Sequence, residues 1–246
     1  MRLVRRSAKI LMLVLASAML SAGQSRPTTE SATRPNAIRP LNAREVSDIR
    51  LSLLKPGDVD VALRFEHDVL RRYSTATSRP WKSFEEEPHI EQAIEIINDP
   101  NQAFRHDVRV LSDPPEMVEF KFRILPLVLA GCASSGCHSA DGTDEFRLSH
   151  KTHNEGYVYA DFDQLRKYVK TVESDRQSMF ATARVDRLIN LDDPESSLLV
   201  QYALPARLAQ TPHPATRHWR PMATSKSDPR YRELLRWIEA LSQINQ

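Results

Sequence analysis

Residues 131 to 138 read GCASSGCH and hold the two cysteines of the chain, Cys132 and Cys137, with His138 directly after the second. Two thiols and an imidazole in so short a stretch admit three chemistries. A local disulfide is permitted in an oxidising compartment. It closes a small loop, constrains the unfolded chain little and leaves His138 without a role. A zinc site needs a further ligand from elsewhere, and thiolate zinc sites usually carry paired Cys-x-x-Cys spacings that are absent here. The third chemistry is covalent haem attachment: two thiols add across the haem vinyl groups, and the next histidine is delivered to the iron. The familiar signature is C-x-x-C-H. Here Ala133, Ser134, Ser135 and Gly136 form a longer spacer, which must bulge while presenting both sulfurs to one ring edge. Small residues, with a glycine beside Cys137, make that feasible.

A c-type haem iron normally takes a second axial ligand, methionine or histidine. Two candidates lie in TPHPATRHWRPMATSKSDPRY. Met222 follows Pro221 in an irregular stretch ahead of the last helix; the plainer reading is a gap-filling side chain. His213 sits between Pro212 and Pro214, which stiffen its backbone; the plainer reading is a loop histidine. His218, His150 and His153 are poorer candidates. Ligation by Met222 would give a higher reduction potential than ligation by two histidines.

Other signatures fail. GCASSG has the glycine spacing of a P-loop, but Cys137 stands where lysine is required. G-x-G-x-x-G, G-x-S-x-G and H-E-x-x-H do not occur.

The elements that must position these residues are mainly helical. Asn42 with Glu45 has capping-box spacing, and Val46, Ile49, Leu53 and Leu54 recur at helical period. Val59, Val61, Leu63 and Phe65 alternate, which favours a strand over a helix running on to Tyr73. Pro88 opens a helix with Ile90, Ala93, Ile94 and Ile97 on one side. Pro114 and Pro115 start another, whose apolar face is Met117, Val118, Phe120, Ile124, Leu127 and Val128, and which Pro126 should kink or shorten. Leu165, Tyr168, Val169 and Val172 form a further stripe. Asp193-Pro194 opens SSLLVQYAL, and Asp228-Pro229 opens the last helix, with Tyr231, Leu234, Leu235, Ile238 and Leu241 inward. Strands are expected only in the first half. His67, His89 and His106 lack ligand-like spacing and read as surface or core-edge residues. No internal repeat is visible.

Composition is ordinary for a globular protein, 27% charged and 41% hydrophobic. Residues 1–23 differ: Arg2, Arg5, Arg6 and Lys9 precede the apolar run Ile10 to Leu20, and Ser21-Ala22-Gly23 offers a cleavage site. This is the layout of a secretory signal peptide, with an uncleaved membrane anchor as the other reading; the Arg5-Arg6 pair is a weak twin-arginine signal. Removing it takes away four cations and no anions, so the formal charge of +2 becomes about −2, with 30 basic residues against 32 acidic. No basic face points to nucleic acid. Residues 24–40, rich in Pro, Ser and Thr, read as a flexible linker. Residues 41–112 form an N-terminal helical or α+β region of open role.

The stretches FRILPLVLAGCASSGCHSADGTDEFRLS, DDPESSLLVQYAL, PHP and DPRYRELLRWIEAL resemble the planctomycete-type cytochrome c domains and their exported relatives, over roughly residues 113–246. A looser echo appears in LNAREVSDIRLSLL. The resemblance implies a cytochrome c-like helical domain with haem c on Cys132 and Cys137 and His138 as proximal ligand. It implies that Phe146 and Leu148 pack near the ring and that Trp237 and Ile238 belong to a closing helix. The chain departs from the family in its longer spacer, in Ser139 where glycine often follows the histidine, and in Pro221-Met222-Ala223 where many members have Met-Pro-Pro. In relatives with the longer spacer a histidine near the position of His213 is common, which supports His213 as distal ligand.

Three functions follow as expectations. An exported, periplasmic monohaem cytochrome with both axial positions filled passes single electrons to a redox partner protein and is not an enzyme. A haem-free binding or structural module would carry a Cys132–Cys137 disulfide. A haem enzyme such as a peroxidase would require an open distal position.

Overall fold

The asparagine at the start of the first helix carries out the capping that its spacing predicts. The Asn42 side chain accepts from the backbone N–H of Arg44 and Glu45 at 3.0 Å, and Glu45 accepts from the Asn42 N–H at 2.8 Å. In the computed structural model, which describes residues 38–133, 137–142, 145–172, 184–215 and 219–245, this box opens α1 (Ala43–Leu51). The signal peptide expected over 1–23, most of the linker, three of the four spacer residues and His218 lie outside the described residues.

Two apolar cores share one unit. The smaller gathers Leu51 and Leu54, α2 (Val69–Ala76), α3 (Trp81–Glu85), α4 (His89–Asn98) and a two-stranded antiparallel sheet, β1 (Leu63–Phe65) against β2 (Val108–Val110). The alternation of Val59 to Phe65 is realised only in its second half; Val59 is exposed. In α4 the buried apolar set is Ile90, Ala93, Ile96 and Ile97, so Ile96 replaces the expected Ile94. His67, His89 and His106 are exposed, as expected.

The larger core forms around the helix that carries the motif. α5 (Pro115–Glu119) continues through a π-turn, Phe120–Ile124, then α6 (Leu125–Val128), then a second π-turn, Leu129–Ala133. A proline ring collides with the carbonyl four residues back in a regular helix. The wider turn ahead of Pro126 relieves that collision, so the helix runs on to Cys132 where a kink or an early end is expected. Met117, Phe120, Ile124 and Val128 are buried as expected, whereas Val118 is exposed and Leu125 takes an inward place.

α7 (Glu155–Lys167) is capped by the Asn154 side chain. The expected stripe Leu165 to Val172 divides: Leu165 ends inside α7, and Val169–Val172 is β3, paired antiparallel with β4 (Arg184–Arg187). A hairpin therefore stands in the second half, where only helix is expected; β-branched Val and Thr favour the extended backbone. α8 (Leu198–Ala203) begins one turn later than its Asp-Pro signal, because Pro194–Ser196 makes a 3₁₀ turn first.

α9 (Pro229–Ser242) starts at Asp228-Pro229, with the Asp228 side chain accepting from the Arg230 N–H, and closes the core. Tyr231, Leu234, Trp237, Ile238 and Leu241 face inward. Trp237 stacks on Phe120 at 5.5 Å and donates its indole N–H to the Glu116 carbonyl at 3.1 Å, docking the last helix on the motif helix. α1 spans both cores: Val46 packs into the larger, Leu51 into the smaller, and Arg50 joins Asp113, Tyr159 and Glu155. The described chain is thus mainly α, with two small sheets. Among the described residues no helix is long and apolar enough to cross a membrane.

Candidate functional site

The second π-turn carries the motif helix into the core, with Ala133 buried and Cys132 half-buried. From Cys137 the backbone turns tightly: the Gly142 N–H donates to the Ser139 carbonyl at 2.8 Å, and a Cβ on Gly142 would lie 2.5 Å from the Cys137 carbonyl oxygen. Only glycine fits there. The chain then runs back beside itself, the Leu148 N–H donating to the His138 carbonyl at 2.8 Å. The Phe146 carbonyl lies 3.1 Å from His138 Nδ1. A carbonyl only accepts, so the neutral His138 ring carries its proton on Nδ1 and its lone pair on Nε2.

Ser149 anchors this doubled segment to α7. Its N–H and hydroxyl donate to the two carboxylate oxygens of Asp161 at 2.7 and 2.8 Å. Asp161 is 1% exposed, and burial pushes its carboxyl up to about 6, against the lowering effect of the Ser149 bonds.

His213 comes from the loop after α8, which the Gln210 N–H pins to the Gln201 side chain at 2.7 Å. Its Nδ1 lies 2.8 Å from the Pro214 carbonyl, so the neutral ring again keeps its lone pair on Nε2. The His213 and His138 ring centroids are 6.2 Å apart, with planes at 74°. Met222 follows on a stretch held to α8 by the Ala223 N–H, which donates to the Ala203 carbonyl at 2.8 Å. Its side chain covers Gly131 so closely that a Cβ there would fall 2.1 Å from Sδ.

Cys132, Cys137, His138, His213 and Met222 all line one cavity of about 700 Å³. Comparison with protein-family models, with curated proteins and with solved structures gives no match. The site is therefore read from its own chemistry.

Its volume lies within the roughly 300–1,000 Å³ usual for cofactor pockets. Aromatic and aliphatic side chains dominate its wall: Phe146, Tyr168, Leu188, Leu199, Tyr202 and Trp219. Asp141, Glu145 and Lys170 bring charge to it. Of the two residues that the resemblance places by the ring, Phe146 lines the cavity, while Leu148 is buried in the core and meets the motif segment through its backbone, which bonds to His138 and bridges to Ser139. His150 and His153 are exposed.

The donor set suits a covalently held haem. Cys132 and Cys137 are not bonded to each other. Burial pushes the Cys132 thiol up to about 12, so a thiolate is disfavoured there, whereas an uncharged thioether carries no such cost. Both imidazoles engage a backbone carbonyl through Nδ1, the outer contact that metal-bound histidines ordinarily make. Among the described residues, no three His, Cys, Asp or Glu side chains gather as a metal-ion site, and the zinc reading gains nothing from the fold.

Tyr168, Tyr202, Trp219, Leu188 and Leu199 carry no motif, and the sequence reading misses them. Trp219 alone has a usable signal, standing three residues before Met222 in WRPM.

Proposed function

We propose that this cavity holds a haem c, thioether-linked to Cys132 and Cys137, with His138 as proximal and His213 as distal iron ligand, in a cytochrome c-like domain of an exported single-electron carrier. One observation carries the reading: two thiols and two imidazoles, each imidazole fixed through Nδ1, line the same apolar-walled cavity.

When bound, the haem supplies a reversible one-electron iron couple. The chain's residues do the rest. The Phe146 carbonyl, accepting from Nδ1–H, orients His138 and makes its Nε2 a stronger donor. The Leu148 N–H bond to the His138 carbonyl fixes the backbone from which that ring hangs. The aromatic wall keeps water from the metal site and limits rearrangement of charge when an electron moves.

The spacing of the rings favours His213 over Met222. Metal–imidazole bonds of about 2 Å put the centroids of two imidazoles on opposite sides of one metal roughly 6 Å apart. The 6.2 Å between His138 and His213 matches. Met222 then serves as wall, its sulfur lodged over Gly131. With His138 and His213 both committed to holding the group, the protein would pass single electrons to a redox partner protein; neither nucleic acid nor a membrane enters the reading, apart from the N-terminal signal or anchor segment.

The test is expression of the exported chain with a c-type haem maturation system. The expected product is red, heavier by one haem, and keeps its pigment after denaturation and acid extraction. Colourless protein with a Cys132–Cys137 disulfide would replace this reading with the haem-free module. Red protein that binds carbon monoxide immediately, without displacing a ligand, would favour a haem enzyme.

A further inference from the structure

The His213 ring is held on three sides. Trp219 lies against one face, its ring centroid 5.2 Å away and its plane only 5° from parallel. Tyr202 presents its ring at 75° and 4.9 Å. Nδ1 faces the Pro214 carbonyl at 2.8 Å. The phenol is itself located, its hydroxyl accepting from Lys170 Nζ at 3.4 Å. Rotation of the imidazole about its last side-chain bond would break the parallel stack, the edge contact and the hydrogen bond together. Pro212 and Pro214 restrict the backbone below, because each fixes its own φ. Trp219 is half-buried and lines the cavity beside His213.

We infer that Trp219 and Tyr202 are positioning residues that fix the plane of the His213 ring, the indole by stacking on its face and the phenol by its angled contact. The consequence for iron rests on the haem reading above: a ligand held in one plane before it coordinates returns to the metal quickly after any dissociation. An aromatic contact of this kind shifts an equilibrium by about 2- to 10-fold.

The experiment uses the exported full chain and two readouts. In haem-free protein, proton NMR of the His213 ring, assigned with His213→Gln, should show the ring-current displacement of a stacked imidazole. Trp219→Leu should abolish it, and Trp219→Phe should retain part of it. In haem-loaded protein, added imidazole or carbon monoxide should displace His213 about 2- to 10-fold faster in Trp219→Leu and in Tyr202→Leu. Trp219→Phe should stay near the wild type, and all variants should keep their covalent haem. An undisplaced His213 signal in the wild type overturns the clamp whether or not haem binds. Haem-loaded Trp219→Leu with unchanged displacement rates and an unchanged electron paramagnetic resonance spectrum overturns it while leaving the haem reading intact. Wild type that never takes haem removes the ligand role, and the NMR comparison alone then decides the clamp.

Discussion

The rings of His138 and His213 stand 6.2 Å apart, centroid to centroid, with their planes inclined at 74°. Each shows a backbone carbonyl to its Nδ1, which in the neutral ring puts the proton on Nδ1 and the lone pair on Nε2. Met222 lines the same cavity but lays its sulfur over Gly131. The pair therefore makes different predictions for the two distal candidates. In haem-loaded protein, His213→Ala should convert a low-spin absorption spectrum to one with high-spin features and open the iron to carbon monoxide. Met222→Leu should leave the spectrum low-spin and the potential nearly unchanged. The reverse pattern would assign the distal position to Met222.

Removal of His138 acts differently, because the cofactor would pack against Phe146, Leu188 and Leu199 at the edge of the larger core. His138→Ala and Cys137→Ser should both cut the yield of soluble exported protein several-fold under haem maturation. Normal yield and unchanged thermal midpoints in both would mean that the core is complete without the group.

Gly131 and Met222 form a contact that can be measured without haem. An added Cβ at Gly131 would meet Met222 Sδ at 2.1 Å and Cγ at 2.2 Å, so Gly131→Ala must displace the methionine. The group that must move is a flexible side chain lining a cavity, so the cost is at most about 1–3 kcal/mol. Met222→Ala in the same chain provides the room, so the double variant should be more stable than the sum of the single losses predicts. Urea denaturation of the four proteins gives the coupling; strict additivity would show that the two side chains do not meet.

The elements that were legible from the sequence are those whose signals are local. Asn42 with Glu45, and Asp228 with Pro229, act within one turn of backbone, and both caps form as their spacing predicts. The candidate site was legible because two thiols next to an imidazole are rare, and because His213 and Met222 had to be matched to them. The hairpin Val169–Val172 with Arg184–Arg187 was not, since its partner strand lies across an intervening segment. Tyr202 reads from its sequence as part of a helix, which it is; that its ring faces His213 depends on how α8 packs. Pro126 misled because a π-turn absorbs it, and nothing local in FKFRI announces a wider turn.

Trp237 joins the closing helix to the motif helix through two separable interactions, its stack on Phe120 and its N–H bond to the Glu116 carbonyl. Trp237→Ala should cost about 3–5 kcal/mol in a buried site of this kind. Trp237→Phe keeps an aromatic ring and removes the indole donor from a Glu116 carbonyl that still accepts from the Phe120 N–H, so the lost bond should cost about 0.5–1.5 kcal/mol. Chemical denaturation should place the variants in that order. Equal losses would mean that the stack contributes nothing beyond the hydrogen bond.

Asp161 gives the pH dependence. The carboxyl has an ordinary value of 3.8 and is pushed up to about 6 in the folded protein, first by burial, with the two Ser149 bonds opposing. The folded state therefore binds more protons than the unfolded chain between these values. The stability this adds is fully present below about pH 4 and is lost as pH rises through about 6. A shift of about two units corresponds to at most ~3 kcal/mol. Asp161→Asn keeps both contacts, because Oδ1 still accepts from the Ser149 N–H while the amide donates to the Ser149 hydroxyl oxygen. The variant bears no charge to bury. It should match the wild type near about pH 4 and exceed it by up to ~3 kcal/mol near about pH 7. A difference that stayed constant across that interval would mean that the carboxyl titrates at its ordinary value and that burial imposes no penalty on its charge.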